Sequence, residues 1–203
     1  RGQRVAEQFG LEIRDSVRAV VEDDSIDAVM IGCETNRHAD LVEEAAAAGK
    51  GILLQKPMAT TLADCDRIIA AVETHDVPFS MAYQMRQDPV NVKMKELLDA
   101  GAIGRPAMVR RRHCLNVLLN PAFSQGDTAW HVDPVANIGM FFDDAMHVAD
   151  WFYWMLGAPL SVMAEIDNIV TDVAPDDNGL AIYRFAGGVI GILLNSSTTV
   201  AAI

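Results

Sequence analysis

Three side chains of this sequence have the types and spacing for proton transfer beside an ionic hold. Asp143 and His147 stand four residues apart in a stretch, residues 137–157, that reads as one strongly apolar helix. At about 100° per residue, Phe141, Ala145, Val148, Phe152 and Leu156 gather on one side, and Asp143, His147 and Asp150 on the other. An imidazole gains or loses a proton near neutral pH, and a carboxylate one turn away fixes its tautomer. Taken alone, the helix equally fits an amphipathic element whose acids and imidazole face water. The third group, Lys56, lies in Gln55-Lys56-Pro57 directly after a buried apolar run. Ligands bind beyond the carboxyl ends of strands in open α/β sheets, so a lysine there is a cation held over a cleft, with the proline fixing the turn. Cys33-Glu34-Thr35 takes the corresponding place after the preceding strand, where backbone N–H groups at a helix start suit an electron-rich ligand. His38 follows in that helix.

The elements that must position these groups follow from the periodicity. Residues 1–22 read as a partial helix, a loop and a second helix over 17–21. Strands are expected at 27–31, 52–54 and 79–83, alternating with helices at 39–48, 62–74 and 91–100. Thr61 and Thr35/Asn36 stand at helix starts, and Gly49 and Gly101 at helix ends. Strand–helix repetition at this spacing predicts a parallel sheet wrapped by right-handed crossovers. After Gly104-Arg105-Pro106 the character changes. Residues 107–114 alternate, with Arg110 and Arg112 on one face. A loop of some twenty residues follows, of a length usual for lids and binding loops, then the 137–157 helix and strands at 160–169, 180–185 and 189–194. Ala186-Gly187-Gly188 signals a hairpin, so the second half is expected to be an antiparallel sheet with a helix packed on it. The expected division is 1–104 and 105–203, with an α/β fold throughout. In the long loop, Trp130-His131 offers an aromatic face and a hydrogen-bonding group.

Composition narrows the function. Of 203 residues, 51% are hydrophobic and 22% charged, the profile of a globular protein with a substantial core. A net charge of −12 argues against a nucleic-acid partner, and no apolar run reaches a membrane span. Three widely spaced cysteines imply no disulfide framework, and a reducing cytoplasm is the expected compartment. A metal-dependent hydrolase using His113, His131 and His147 is the weakest reading, because these histidines lack a short ligand spacing. No metal is expected.

In combination the motifs resemble the Gfo/Idh/MocA group of NAD(P)-dependent oxidoreductases, which includes inositol and sugar dehydrogenases. QKP resembles that family's Glu-Lys-Pro signature. MAYQMRQDP resembles its Gly-Phe-Asn-Arg-Arg-Phe stretch, with Gln84 at the Asn and Arg86 at the second Arg. GMFFDDAMHVAD resembles its Asp-x-Gly-x-His-x-x-Asp helix, and GAIGRPAMVRRRH its entry into a second, open-faced sheet. The resemblance implies a partial Rossmann-type domain with a parallel sheet followed by an α+β domain with an open-faced, mostly antiparallel sheet, an enzyme acting on CH–OH groups, and NAD or NADP as cofactor. It implies that Lys56 holds the substrate hydroxyl, with Asp143 as the acid and His147 as proton acceptor. It places Cys33, Glu34, Thr35, His38, Gln55, Lys56 and Pro57 along the nicotinamide side, and Gln84, Arg86, Trp130 and His131 toward a sugar, inositol or related polyol.

The departures are Gln55 for the usual Glu, Glu34 for a frequent Pro, Met85 for the first paired Arg, Ala145 for the Gly between Asp and His, and Asn137-Ile138 within a glycine run. No G-x-G-x-x-G precedes a strand, so the chain is expected to be an internal piece starting after the second strand of such a sheet. The alternative within the same fold is a sugar-binding or regulatory member without hydride transfer, which would not need the Lys56, Asp143 and His147 trio. A homo-oligomer through the open sheet face, built around the 180–194 hairpin, is the expected assembly.

Overall fold

A computed structural model describes residues 2–200. Helices α1 (Gly2–Phe9) and α2 (Val17–Val21) precede β1 (Ala28–Ile31), α3 (His38–Ala47), β2 (Gly51–Leu54), α4 (Leu62–His75) and β3 (Phe79–Met81). The strands form a parallel sheet in the order β1-β2-β3, with Ala28 opposite Gly51 and Ile52 opposite Phe79. Apolar residues of strands and helices close one core around Ile31, Val42, Ile52, Leu54 and Ile68. Thr61 starts α4 by accepting the Asp64 N–H at 3.1 Å, a bond that satisfies one of the helix's free amides. All three strands run the same way, so Gln55-Lys56-Pro57 falls at their carboxyl edge. The Lys56–Pro57 peptide bond is cis.

Helix α5 (Pro89–Asp99) is capped by the Asp88 carboxylate and starts with Pro89. It lies before the boundary expected at residue 104, yet Leu98 packs into the second core and Asn91 bonds Trp151. The second sheet comprises β4 (Met108–Cys114), β5 (Ser161–Asp167), β6 (Asn178–Arg184) and β7 (Ile190–Ser196), in the order β4-β7-β6-β5. The sheet is mostly antiparallel, as expected. β5–β6 and β6–β7 are antiparallel, but β4 pairs with β7 in parallel. Because β4 is the first strand of this unit and the hairpin returns alongside it, β7 arrives running in the same direction. The hairpin turn uses Gly187 and Gly188 at φ of 73° and 83°, a region that favours glycine. The long loop is not featureless. It contains single 3₁₀ turns and a short helix, α6 (Pro121–Gln125), started by the Asn120 side chain.

Helix α7 (Met140–Leu156) lies across the inner face of this sheet. Ala145, Val148 and Phe152 meet Ala181, Phe185 and Leu193, while β4 turns Val109, Arg111 and His113 toward the helix and Arg110 and Arg112 away. No side chain at its own N-cap, Gly139, serves the helix start. Instead Asp176, from the loop between β5 and β6, accepts the Phe141 N–H at 2.6 Å. Asp176 occupies the space a side chain at 139 would need, because a Cβ there would fall 1.9 Å from its Oδ2. Asp177 orders the same loop by accepting the N–H groups of Ile169, Val170 and Thr171 at 2.7–2.8 Å. Gly139→Ala is therefore expected to expel the capping carboxylate and cost about 1–3 kcal/mol in urea unfolding. An unchanged midpoint would show that α7 does not depend on this cap.

Candidate active site

The two sheets meet where the carboxyl edge of the first faces the N-terminal half of α7. Lys56 Nζ crosses the junction and donates to Asp143 Oδ1 at 2.8 Å and to the Asp143 main-chain carbonyl at 3.0 Å. Both side chains are largely buried. An ion pair taken out of water is held only if its geometry and further hydrogen bonds offset the desolvation, and the second bond to the carbonyl does this for the ammonium. One turn on, His147 lies beside the pair, its ring centroid 5.6 Å from that of His113 on β4. Burial pushes His147 down to about 4, and the Lys56 cation and His113 push in the same direction. His113 is lowered too, by burial first and then by Lys56 and Arg111. His147 is thus neutral at physiological pH and free to take a proton. Its Nδ1 is buried without a hydrogen-bond partner.

A second link holds the helix over the lysine. Arg86 donates from Nε and Nη2 to the two oxygens of Asp150 at 2.9 and 2.5 Å, a forked pair that ties the segment after β3 to α7. The sequence directed Arg86 toward substrate, but the structure places its guanidinium on Asp150. Below it, Trp151 donates to Asn91 Oδ1 at 3.0 Å and carries the Arg111 guanidinium 4.6 Å from its ring centroid. Trp151 is buried by α5 and β4, with its N–H satisfied.

On the first unit, Cys33 and Glu34 line the edge half-buried, and Gly32 is exposed beside them. Thr35 is buried with its hydroxyl unpartnered. Gln55 bends its side chain back to accept the Lys56 N–H at 2.9 Å. Two residues expected along the cofactor side sit behind the wall. Pro57 is buried, and His38 is fully buried with Nδ1 2.9 Å from the Pro57 carbonyl and Nε2 3.3 Å from that of Cys33. His38 therefore ties the two edge loops together, with burial holding its pKa below the ordinary value against the pull of those carbonyls. Gln84 is exposed in the turn after β3.

The long loop brings Trp130 and His131 to the same cleft. Their rings stack at 3.6 Å, so one face of Trp130 is taken by His131 and not free for a ligand. His131 Nε2 lies 3.8 Å from Asp143 Oδ2.

Two groups stand at the site in places the sequence analysis did not give them. His113, weighed there only as a metal ligand, reaches the site through the alternation of Val109, Arg111 and His113 on the helix-facing side of β4. Asp144 gave no signal, because an acid next to Asp143 reads as solvated. It is buried against the end of the second sheet, with the Ser197 hydroxyl donating to it at 3.4 Å. Burial, then the neighbouring Asp143 charge, raises its carboxyl to about 6. The folded state therefore holds this proton more tightly than the unfolded chain, and above about pH 6 the ionised form lowers stability. His147 acts oppositely. Its contribution is full above its unfolded value of 6.5 and is lost as pH falls toward about 4. Asp144→Asn is thus expected to be more stable than the wild-type chain at neutral pH, by on the order of 1–3 kcal/mol, with the margin gone by about pH 4. Urea unfolding across this range checks it, and a pH-independent margin contradicts it.

Comparison with known proteins places the chain among relatives of this architecture. Residues 1–83 match an oxidoreductase family with an NAD-binding Rossmann fold, and residues 91–202 match the GFO/IDH/MocA C-terminal domain. Myo-inositol 2-dehydrogenase of Thermotoga maritima is 28% identical over 207 residues, covering 98% of this chain and 59% of that protein. The scyllo-inositol 2-dehydrogenase (NAD(+)) of Bacillus subtilis is 26% identical, covering 98% and 57%. A levoglucosan dehydrogenase solved with NADH and levoglucosan superposes with a TM-score of 0.88 at 25% identity, covering 97% of this chain and 55% of that one. The chain spans less than two thirds of the length of each.

Proposed function

We propose that this chain, which belongs to the Gfo/Idh/MocA family of oxidoreductases, carries the proton-transfer machinery of an NAD(P)-dependent dehydrogenase acting on a sugar, inositol or related polyol. The observation that carries this reading is the buried Lys56–Asp143 bond between the two sheets, with a neutral His147 one turn away. A surface lysine or a solvated helix would show neither. The relatives that share this architecture include inositol dehydrogenases, which supports a polyhydroxylated substrate.

The residues present at the carboxyl edge suit a nicotinamide. Gly32 leaves open space where a side chain would stand, Cys33 and Glu34 form a half-buried wall, and the orphaned Thr35 hydroxyl lies behind them. When bound, the nicotinamide ring supplies the hydride acceptor. Lys56 then holds the reacting hydroxyl and stabilises the negative charge that develops on its oxygen. His147, unprotonated at neutral pH, accepts the hydroxyl proton. Asp143 orients the Lys56 ammonium and balances its charge within the closed junction. Arg86–Asp150 keeps α7 in register with the first sheet, so the acceptor nitrogen stays over the lysine.

In the complete protein, His147→Asn is expected to lower turnover by on the order of 10²–10⁴, and Lys56→Met comparably, read from reduced-nicotinamide absorbance with a polyol panel. A His147→Asn variant that oxidises its polyol at the wild-type rate would overturn the assignment, and polyol binding without turnover in the wild type would favour a sensor.

The outer face of the second sheet, with Ile182, Ile192 and Leu194 beside Arg110 and Arg112, is the surface we assign to a second copy of the chain. Light scattering is expected to show an oligomer that Ile192→Glu dissociates. A wild-type monomer at micromolar concentration would remove this assignment.

A further inference from the structure

The loop above the site fixes which nitrogen of one imidazole carries hydrogen. His131 Nδ1 lies 2.8 Å from the Thr128 carbonyl, which can only accept, so Nδ1 is the protonated nitrogen. In a neutral ring this leaves a bare lone pair on Nε2. The ring is clamped in place by Trp130 stacked at 3.6 Å and Phe123 at 5.1 Å, and Asn137 Nδ2 donates to the His131 carbonyl at 3.2 Å. Nε2 faces Asp143 Oδ2 across 3.8 Å. The other oxygen of that carboxylate already takes the Lys56 ammonium, and among the described residues no donor reaches Oδ2. Two acceptors therefore confront each other across a gap that neither can bridge.

Lone pairs opposed in this way are satisfied by two donors presented side by side. A single hydroxyl has one hydrogen and serves only one of them. Adjacent hydroxyls of a gauche 1,2-diol lie closer together than the acceptors do, and each can point its hydrogen outward to its own partner. We propose that His131 Nε2 and Asp143 Oδ2 form a two-acceptor subsite for a 1,2-diol, in which His131 reads the hydroxyl adjacent to the carbon that reacts. This rests on the reading of the cleft as a polyol site, and makes His131 a specificity-determining residue.

The test needs neither cofactor nor turnover. In the ¹⁵N-labelled chain at about pH 7.5, long-range ¹H–¹⁵N correlation is expected to show His131 protonated on Nδ1 and bare on Nε2. A doubly protonated ring, meaning a plain ion pair with Asp143, or an Nε2–H ring would overturn the proposal. Titration with cis-1,2-cyclohexanediol is expected to move the Nε2 signal at about tenfold lower concentration than cis-1,3-cyclohexanediol or cyclohexanol, the worth of one net hydrogen bond. Equal responses to all three, or none, would also overturn it. His131→Phe keeps the aromatic stack and should abolish the preference, whereas His131→Gln, with an acceptor restored, should recover part of it. Should His131→Phe fail to fold, the wild-type tautomer and diol comparison decide alone. A preference for the 1,2-diol in a protein with no dehydrogenase activity would strike the proposed function and spare the subsite. An active dehydrogenase without that preference would do the reverse.

Discussion

The bond between Lys56 and Asp143 is the constraint on which the rest of the molecule depends. A lysine at the end of a parallel strand and an acid in the first turns of a helix from another sheet share one desolvated spot. Neither charge is tolerable there alone. Breaking such a pair by removing one partner leaves an uncompensated buried charge, typically a loss of about 3–5 kcal/mol. The pair thus selects the one docking of the two sheets in which both are satisfied. A neighbouring contact holds the same docking: Arg86, from the turn after β3, forks onto Asp150 of α7.

Once that docking is fixed, the electrostatics of the site follow. The Lys56 cation and the closed environment hold the nearby imidazoles in their neutral form, where a proton acceptor is useful. The same environment makes an ionised Asp144 costly. Proton affinity is therefore redistributed along one helix, with a carboxyl that keeps its proton longer than usual three residues before an imidazole that gives it up sooner. This is the pattern expected where acid and base functions are sorted by environment and not by residue type.

Much of this was legible in the sequence, because the relevant signals are periodic. The β1–β3 alternation with helices, the hairpin at Ala186–Gly188 and the polar stripe of α7 all follow from local spacing. What was not legible depends on pairs distant in the chain. The parallel pairing of β4 with β7 is set by how a hairpin returns, which no local pattern records. His38 looks like a site residue by position and is a buried tie by contact. Arg86 looks free until Asp150, 64 positions on, is placed beside it. Asp144 falls at the margin of the polar stripe, and its burial depends on Ser197, 53 positions on.

The cap on α7 shows how far the control of this site reaches. Asp176 holds the first turn of the helix, and its neighbour Asp177 gathers the amides of Ile169, Val170 and Thr171. The loop between β5 and β6 and the start of α7 are thereby one mechanical piece, although the loop contributes no group to the chemistry. Tolerance to mutation along the chain should accordingly not fall off with distance from Lys56. A saturation scan would map a cold spot at Asp176–Asp177 as sharp as that at Asp143, and evolution could adjust the pitch of α7 by editing a surface loop while Lys56, Asp143 and His147 stayed the same.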